Sequence, residues 1–245
     1  MTSGWAVIAA AAALALAGTV RTWILAFSVP YGHPPRPACP GCQTAVIPAA
    51  RIWRLGWLPP NGRCRTCAAR IGPPPGAVEA VLAVATGVLV AAIATPAAAP
   101  VLVCLASACV TLAFVDLAVR RLPDPFTAAA FAAAAVAVLL QTLTGGGWSQ
   151  ALRAAAAAGI TAGCYFLLTL IANGGFGDVK LGLTTGLLLG AHSWTAVWIG
   201  GLVSVLITSV IGATLQAAGR RKSGDDIAHG PSMLAGALIT LAMIT

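Results

Sequence analysis

Long stretches of this chain contain no charged side chain, and that one feature limits what it can fold into. Eight apolar segments stand out: Trp5 to Phe27, Ala77 to Ile93, Pro100 to Val119, Pro125 to Leu143, Ala151 to Ile171, Val179 to His192, Trp194 to Gln216 and Pro231 to Thr245. A helix needs roughly 20 apolar residues to cross the hydrocarbon, where it satisfies its own backbone, so segments like these are read as membrane spans. Only 8% of the residues are charged, whereas soluble domains run near about 25%. The fold class expected is all-α, a polytopic membrane bundle of about eight spans. The sixth and last segments are the shortest, so seven spans is the competing count. The first segment has no basic region before it and no convincing small-residue cleavage site, so it is read as a permanent span and not as a signal peptide.

Lysine and arginine set the orientation, because they collect in cytoplasmic loops. Arg36, Arg51, Arg54, Arg63, Arg65 and Arg70 lie between spans one and two, Arg120 and Arg121 between three and four, Lys180 at the five-to-six turn, and Arg220, Arg221 and Lys222 between seven and eight. Arg21 is near the inner end of span one, and Arg153 is the single exception. Eight alternating spans put thirteen of the fourteen on one side, which is expected to be cytoplasmic, with both termini facing away from it. The net charge of +8 is thereby explained by topology in a lipid bilayer and gives no case for nucleic acid.

The long inner loop carries Cys39-Pro-Gly-Cys42 and Cys64-Arg-Thr-Cys67. Two such elements can arrange four thiolates tetrahedrally around a structural Zn2+. Redox pairs or disulfides suit an oxidising compartment better than a cytoplasmic loop; an unmetallated loop is the remaining alternative. Nine prolines from Pro34 to Pro75 besides the Pro40 of the first cysteine element, Pro48 among them, leave little room for long regular structure, so metal would supply the folding energy of this module. Cys104, Cys109 and Cys164 fall in apolar helices, where a thiol is expected to be a small buried hydrophobe.

Six acidic residues remain to be weighed. Asp116 is near the inner end of the third segment, and Asp178, in Gly174-Gly175-Phe176-Gly177-Asp178-Val179-Lys180, falls where span five turns into span six, just outside the latter. A carboxylate near hydrocarbon needs a partner, a water-filled cavity or a function. Arg120, four residues on, offers Asp116 an ordinary ion pair; Lys180, two residues from Asp178, offers none on a regular helix. Topology puts both aspartates on one side at similar depth, where two neighbouring carboxylates can share a proton and divide acid from base. Gly174, Gly175 and Gly177 allow tight turning or close approach, and the stretch lacks the pattern of a phosphate loop. Asp124, between Pro123 and Pro125, is expected to cap span four. Asp225 and Asp226 read as solvated charge, and Glu79 as a cap or a partner of the basic loop.

These motifs resemble the bacterial type IV prepilin peptidase family of membrane aspartic peptidases with a Gly-x-Gly-Asp motif. The resemblance rests on Asp116 with Leu122-Pro123-Asp124, on Gly175-Phe176-Gly177-Asp178-Val179-Lys180, and on the pairs Cys39/Cys42 and Cys64/Cys67, with Gly62, Glu79 and Gly230-Pro231 in weaker agreement. It implies Asp116 and Asp178 as the catalytic pair, supported by Asp124, Gly175, Gly177 and Lys180. It also implies a prepilin or pseudopilin substrate cut at the cytoplasmic face of the bacterial inner membrane. Many members also methylate the new terminus with S-adenosylmethionine, with the cysteine region implicated. Here Gly18-Thr19-Val20-Arg21-Thr22-Trp23 departs from the usual Gly-Ser-Phe-x-Asn-Val-like stretch, and Ala228-His229 stands for the usual Pro-Phe, differences that bear on methylation more than on proteolysis. His229 is expected to be a polar loop residue without a chemical role. The implied organisation is a first span (1–27), a tetracysteine loop module (28–76) and a membrane peptidase core (77–245). A proton-coupled transporter and a noncatalytic assembly protein docking through its zinc loop are the readings from other classes.

Overall fold

The structure, a computed structural model, describes residues 2–47, 58–93, 95–172, 175–220 and 227–244. Pro48, Arg51, Arg54, Gly174, Arg221, Lys222, Asp225 and Asp226 lie outside the described residues. The described chain is an all-α bundle of eight helices: α1 (Thr2–Phe27), α2 (Ala77–Ile93), α3 (Ala99–Val119), α4 (Asp124–Gln141), α5 (Gly147–Ala172), α6 (Phe176–His192), α7 (Trp194–Ala217) and α8 (Gly230–Ile244).

Four apolar runs are long enough to cross a membrane: Val7–Phe27, Pro96–Val119, Asp124–Ile171 and Trp194–Ala217. The 48-residue third run holds both α4 and α5. The chain breaks between them at a wide turn over 142–146, where Gly145 (φ 135°) and Gly147 (φ 74°) take backbone conformations open mainly to glycine. The side chain of Gln150 donates back to that of Gln141 at 2.8 Å across this turn. Helix α5 therefore begins four residues ahead of the expected segment.

Contacts between helix ends fall into two sets. At one end, α6 starts beside α4 (Lys180 to Asp124) and α8 starts beside the end of α3 (Gly230 to Asp116). At the other, the guanidinium of Arg153 in α5 donates to the carbonyls of Gly190, Ala191 and His192 at 2.8–3.0 Å. Those carbonyls end α6 without intrahelical partners, and a cation there satisfies them and meets the negative end of the helix dipole. The one arginine that departs from the charge pattern thus has a structural use.

Helices α5 and α6 share the closest seam. Gly182, Gly186 and Gly190 repeat every four residues along one face of α6, and a Cβ on Gly186 would lie 2.8 Å from the Ala157 carbonyl oxygen and 2.9 Å from the Ala158 Cα. In lipid, where apolar surface gives no drive for helix to meet helix, small residues that let backbones approach supply the packing. Outward faces are apolar: Leu167 and Leu170 on α5, and Trp198, Leu202 and Val210 on α7, are all more than half exposed. Such surface suits lipid contact. Cys104 and Cys164 belong to it, exposed on their helices contrary to expectation, while Cys109 is half-buried.

Between α1 and α2 the described residues form no helix. Arg21, 2% exposed, grips Glu79 with two bonds of 2.8 and 2.7 Å and donates also to the carbonyls of Pro73 and Pro74, so a buried ion pair joins α1, α2 and the end of the loop. Glu79 is thus a partner, but of a residue in span one.

Candidate active site and metal centre

Asp116 sits in the last turn of α3, 5% exposed. Arg120 ends that helix in the left-handed conformation (φ 53°), its N–H donating to the Asp116 carbonyl at 2.8 Å. The Asp116 carboxylate accepts at Oδ2 from the N–H of Gly230, the first residue of α8, at 3.1 Å. A Cβ on Gly230 would lie 2.9 Å from that oxygen, so glycine lets the turn reach the carboxylate.

Asp178 lies in the first turn of α6, which opens at Phe176 and not at Val179 as the sequence suggested, so this aspartate is inside the helix. It is half-buried and within electrostatic reach of Asp116. The Leu122 side chain, in the loop after α3, is the wedge between their supports: a Cβ on Gly177 would be 3.0 Å from it, and one on Gly230 would be 3.3 Å away. A side chain at Gly177 would therefore require Leu122 to give way by a few tenths of an ångström. Gly175 takes an ordinary φ of −83° as the residue before α6, with no close side-chain neighbour.

Asp124 does not cap α4 as expected. It is the first residue of the helix, and the Pro123 carbonyl takes the N–H groups of Phe126 and Thr127 at 3.1 and 3.2 Å. The preceding proline fixes a backbone that points its carbonyl into the first turn, and the Asp124 carboxylate is left to accept from Lys180 Nζ at 2.6 Å. Lys180 is thus paired across helices. The pair is exposed, and such pairs contribute about 0–1 kcal/mol, so it links the starts of α4 and α6 without adding much to the stability of the fold.

Two further residues reach this region: His229, which the sequence reading named without giving it a chemical role, and Tyr165 of α5, which it did not name. The Tyr165 hydroxyl meets His229 Nε2 at 3.0 Å. His229 is half-buried in the turn just before Gly230, so it belongs to the wall of the site and not to a polar loop in water. Burial pushes its imidazole below the ordinary range, which keeps it neutral. An apolar cleft of about 240 Å3 between α2, α3, α6 and α8 runs alongside; Ala113 and Leu117, which flank Asp116 on α3, and Pro231, next to Gly230, line it.

The cysteine module has a geometry of its own. In each half a backbone bridge closes a knuckle: Cys39 N–H donates to the Thr44 carbonyl at 3.0 Å, and Cys64 N–H to the Ala69 carbonyl at 2.9 Å. The residue after each second cysteine, Gln43 (φ 59°) and Ala68 (φ 57°), is left-handed. Sulfurs pair across the halves, Cys39 with Cys67 and Cys42 with Cys64, both at 3.7 Å, and all four ligand atoms lie within 4.8 Å of one another. Sulfurs held about 2.3 Å from one tetrahedral ion are about 3.8 Å apart, so this cluster can coordinate a metal. The N–H groups of Cys67 and Thr66 pull the Cys64 thiol down to about 6, favouring the thiolate that a metal needs.

Comparison with known proteins now decides the affiliation. Residues 103–216 match the type IV leader peptidase family and residues 24–93 the bacterial peptidase A24 N-terminal domain. A prepilin leader peptidase/N-methyltransferase from Burkholderia pseudomallei is 30% identical over 217 residues, covering 84% of this chain and 67% of that protein. The chain belongs to the type IV leader peptidase family. A protein of the same description from Bacillus subtilis is 29% identical over 212 residues, covering 84% of this chain and 80% of its own length. No solved structure matches. Members of the type IV leader peptidase family are peptidases by definition, so this multi-helix membrane protein is one too.

Proposed function

We propose that Asp116 and Asp178 are the catalytic pair of a membrane aspartic peptidase that removes the leader of a prepilin or pseudopilin at the inner face of the bacterial cytoplasmic membrane. The observation that supports this is that two aspartates from different helices, one of them almost fully buried, lie within electrostatic reach of each other at one end of an apolar bundle. Two carboxylates in such proximity hold one proton between them. The ionised member takes a proton from water, which attacks the scissile carbonyl carbon. The protonated member donates to the carbonyl oxygen, and collapse of the tetrahedral intermediate returns a proton to the leaving amine. Gly230 orients the Asp116 carboxylate by donating to Oδ2. A substrate's apolar helix reaches the pair laterally from lipid along the cleft lined by Ala113, Leu117 and Pro231, while its charged leader stays in water.

In this reading all eight helices cross or enter the bilayer, with 1–27, 28–76 and 77–245 as first span, metal module and peptidase core. The two sets of helix-end contacts support it, since Asp124, Asp116 and Lys180 gather at one end and Arg153 at the other. Reporter fusions near Arg70 and Arg121 should report cytoplasm and one near Arg153 should not; a cytoplasmic signal at Arg153 overturns this topology. The metal is Zn2+, held by Cys39, Cys42, Cys64 and Cys67, and it supplies a fixed tetrahedral knot to a loop without a core of its own.

S-adenosylmethionine finds no such fit among the described residues. The hollow bounded by Arg21, Leu58, Gly62 and Pro73 is about 10 Å3, and the Arg21 guanidinium is already committed to Glu79 and two carbonyls.

The direct test is incubation of the protein in membranes with a prepilin. The expected result is loss of the leader, read as a fall in substrate mass; an unchanged mass with a set of unrelated prepilins and pseudopilins returns the transporter and assembly readings.

A further inference from the structure

We propose that Tyr165 is a positioning residue of the peptidase site, locked by a hydrogen-bond chain from Tyr165 through His229 to Thr208 that fixes the turn at 229–230 on which the Asp116 carboxylate rests. The inference rests on the reading of Asp116 and Asp178 as the working pair.

The direction of the chain follows from counting hydrogens. Thr208 on α7 has one hydroxyl hydrogen, and it donates to the Ser204 carbonyl one turn back at 3.1 Å. A hydroxyl in a helix commonly spends its hydrogen this way. With its hydrogen spent there, Thr208 accepts from His229 Nδ1, 2.7 Å away, which is the tautomer assigned in this proposal. Burial keeps the ring neutral, hence Nε2 is an acceptor, and the Tyr165 O–H donates to it at 3.0 Å. The rings are tilted by 47° with centroids 5.5 Å apart, so the phenol is held by packing as well as by its hydroxyl.

Neighbouring residues of one turn thereby reach two parts of the site. His229 holds the phenol of Tyr165 on α5, and Gly230 holds Asp116 at the end of α3 through its N–H. A further bond, Met233 N–H to the His229 carbonyl at 3.0 Å, ties the turn to the first turn of α8. If His229 carried its hydrogen on Nε2, that N–H would face the Tyr165 O–H, and the phenol would have to rotate its hydrogen elsewhere. Thr208 therefore specifies the tautomer, and the tautomer specifies the link, as a hydrogen bond at one ring nitrogen ordinarily sets the role of the other.

The chain has three histidines, His33, His192 and His229, so protein labelled with 15N-histidine gives a spectrum that His229→Gln assigns. The expected state of His229 is Nδ1–H; an Nε2–H tautomer overturns the proposal without reference to activity. In the cleavage assay, Tyr165→Phe removes one oxygen and keeps the ring, and it should lower kcat about tenfold with KM unchanged, the size expected when reacting groups lose their alignment. Thr208→Val should lower kcat in the same direction and mix the two tautomers, whereas Thr208→Ser, which keeps an accepting oxygen, should recover most of both. Tyr165→Phe at the parent kcat, with Asp116→Asn and Asp178→Asn inactive, overturns the positioning role and leaves the peptidase reading standing. Active aspartate variants overturn the peptidase reading and this inference with it.

Discussion

Asp116→Asn and Asp178→Asn should each abolish leader cleavage, by at least the roughly 10²–10⁴-fold that a positioned general acid or base contributes. Asparagine has nearly the size of aspartate, and at position 116 its amide oxygen can still accept from the Gly230 N–H that now binds Oδ2 at 3.1 Å. Insertion and packing are therefore retained. What is lost is the ability to take a proton from water or to exist as the neutral acid that donates one. Because the two carboxylates share a proton, each single substitution disables both roles, and the double variant should be little worse than either. Asp124→Asn supplies the contrast. It keeps an oxygen for Lys180 Nζ but not the charge, in a pair that is exposed on both sides, so a small decrease in rate is expected. Cleavage of a prepilin in membranes holding matched amounts of each variant, read by mass, decides the matter. Wild-type rates from both Asp116→Asn and Asp178→Asn would sink the shared-proton mechanism and restore the transporter and assembly readings.

How much of this was visible before the structure depended on how far along the chain the deciding contact lay. The eight helices follow from apolar runs, since in lipid a segment has no other way to satisfy its backbone. Asp116 stood out as a carboxylate in a hydrocarbon segment, and Asp178 as one among glycines. Errors arose where a local rule met a distant partner. Asp124 looked like a helix cap, but a proline before it left the capping to a backbone carbonyl and released the carboxylate to Lys180, 56 residues away. Gly175 and Gly177 looked equivalent, yet only Gly177 is pressed by Leu122. Tyr165 and His229 meet across 64 residues; His229 was visible beside Gly230-Pro231 but read as a loop residue without a role, and Tyr165 belongs to no motif. The signal that was available is the pattern Gly182, Gly186, Gly190, a close-packing face on α6 that brings α5, and Tyr165 with it, against the start of the catalytic helix.

The second large effect is expected at the cysteines. Purified protein should contain one zinc with sulfur-only ligation by metal analysis and X-ray absorption; absence of zinc, or substantial nitrogen or oxygen ligation, would contradict the assignment. Cys39 is fully buried, and its sulfur accepts from the Gly41 N–H at 3.4 Å while facing Cys67. Serine at position 39 keeps that shape but stays protonated at neutral pH, so the ion loses one of four anionic ligands. The module has two backbone knuckles and few buried side chains, whereas a structural zinc supplies on the order of 10 kcal/mol or more to a small fold. Cys39→Ser and Cys64→Ser should therefore lose most of the zinc and make residues 28–76 cleavable by added protease at least about tenfold faster. Cys104→Ser and Cys164→Ser, on exposed helix faces, should change neither readout. Leader cleavage should fall only in part. The module is fastened to α1 by the Leu58 N–H on the Gly18 carbonyl and the Arg36 N–H on the Ala26 carbonyl, and to the start of α2 through Arg21. Among the described residues it reaches the loop after α3 through Arg121, which donates to the Pro30 carbonyl at 3.1 Å and lies over the Tyr31 ring. Complete loss of cleavage at normal abundance would mean that this last contact, or the substrate itself, couples the metal module to the aspartates.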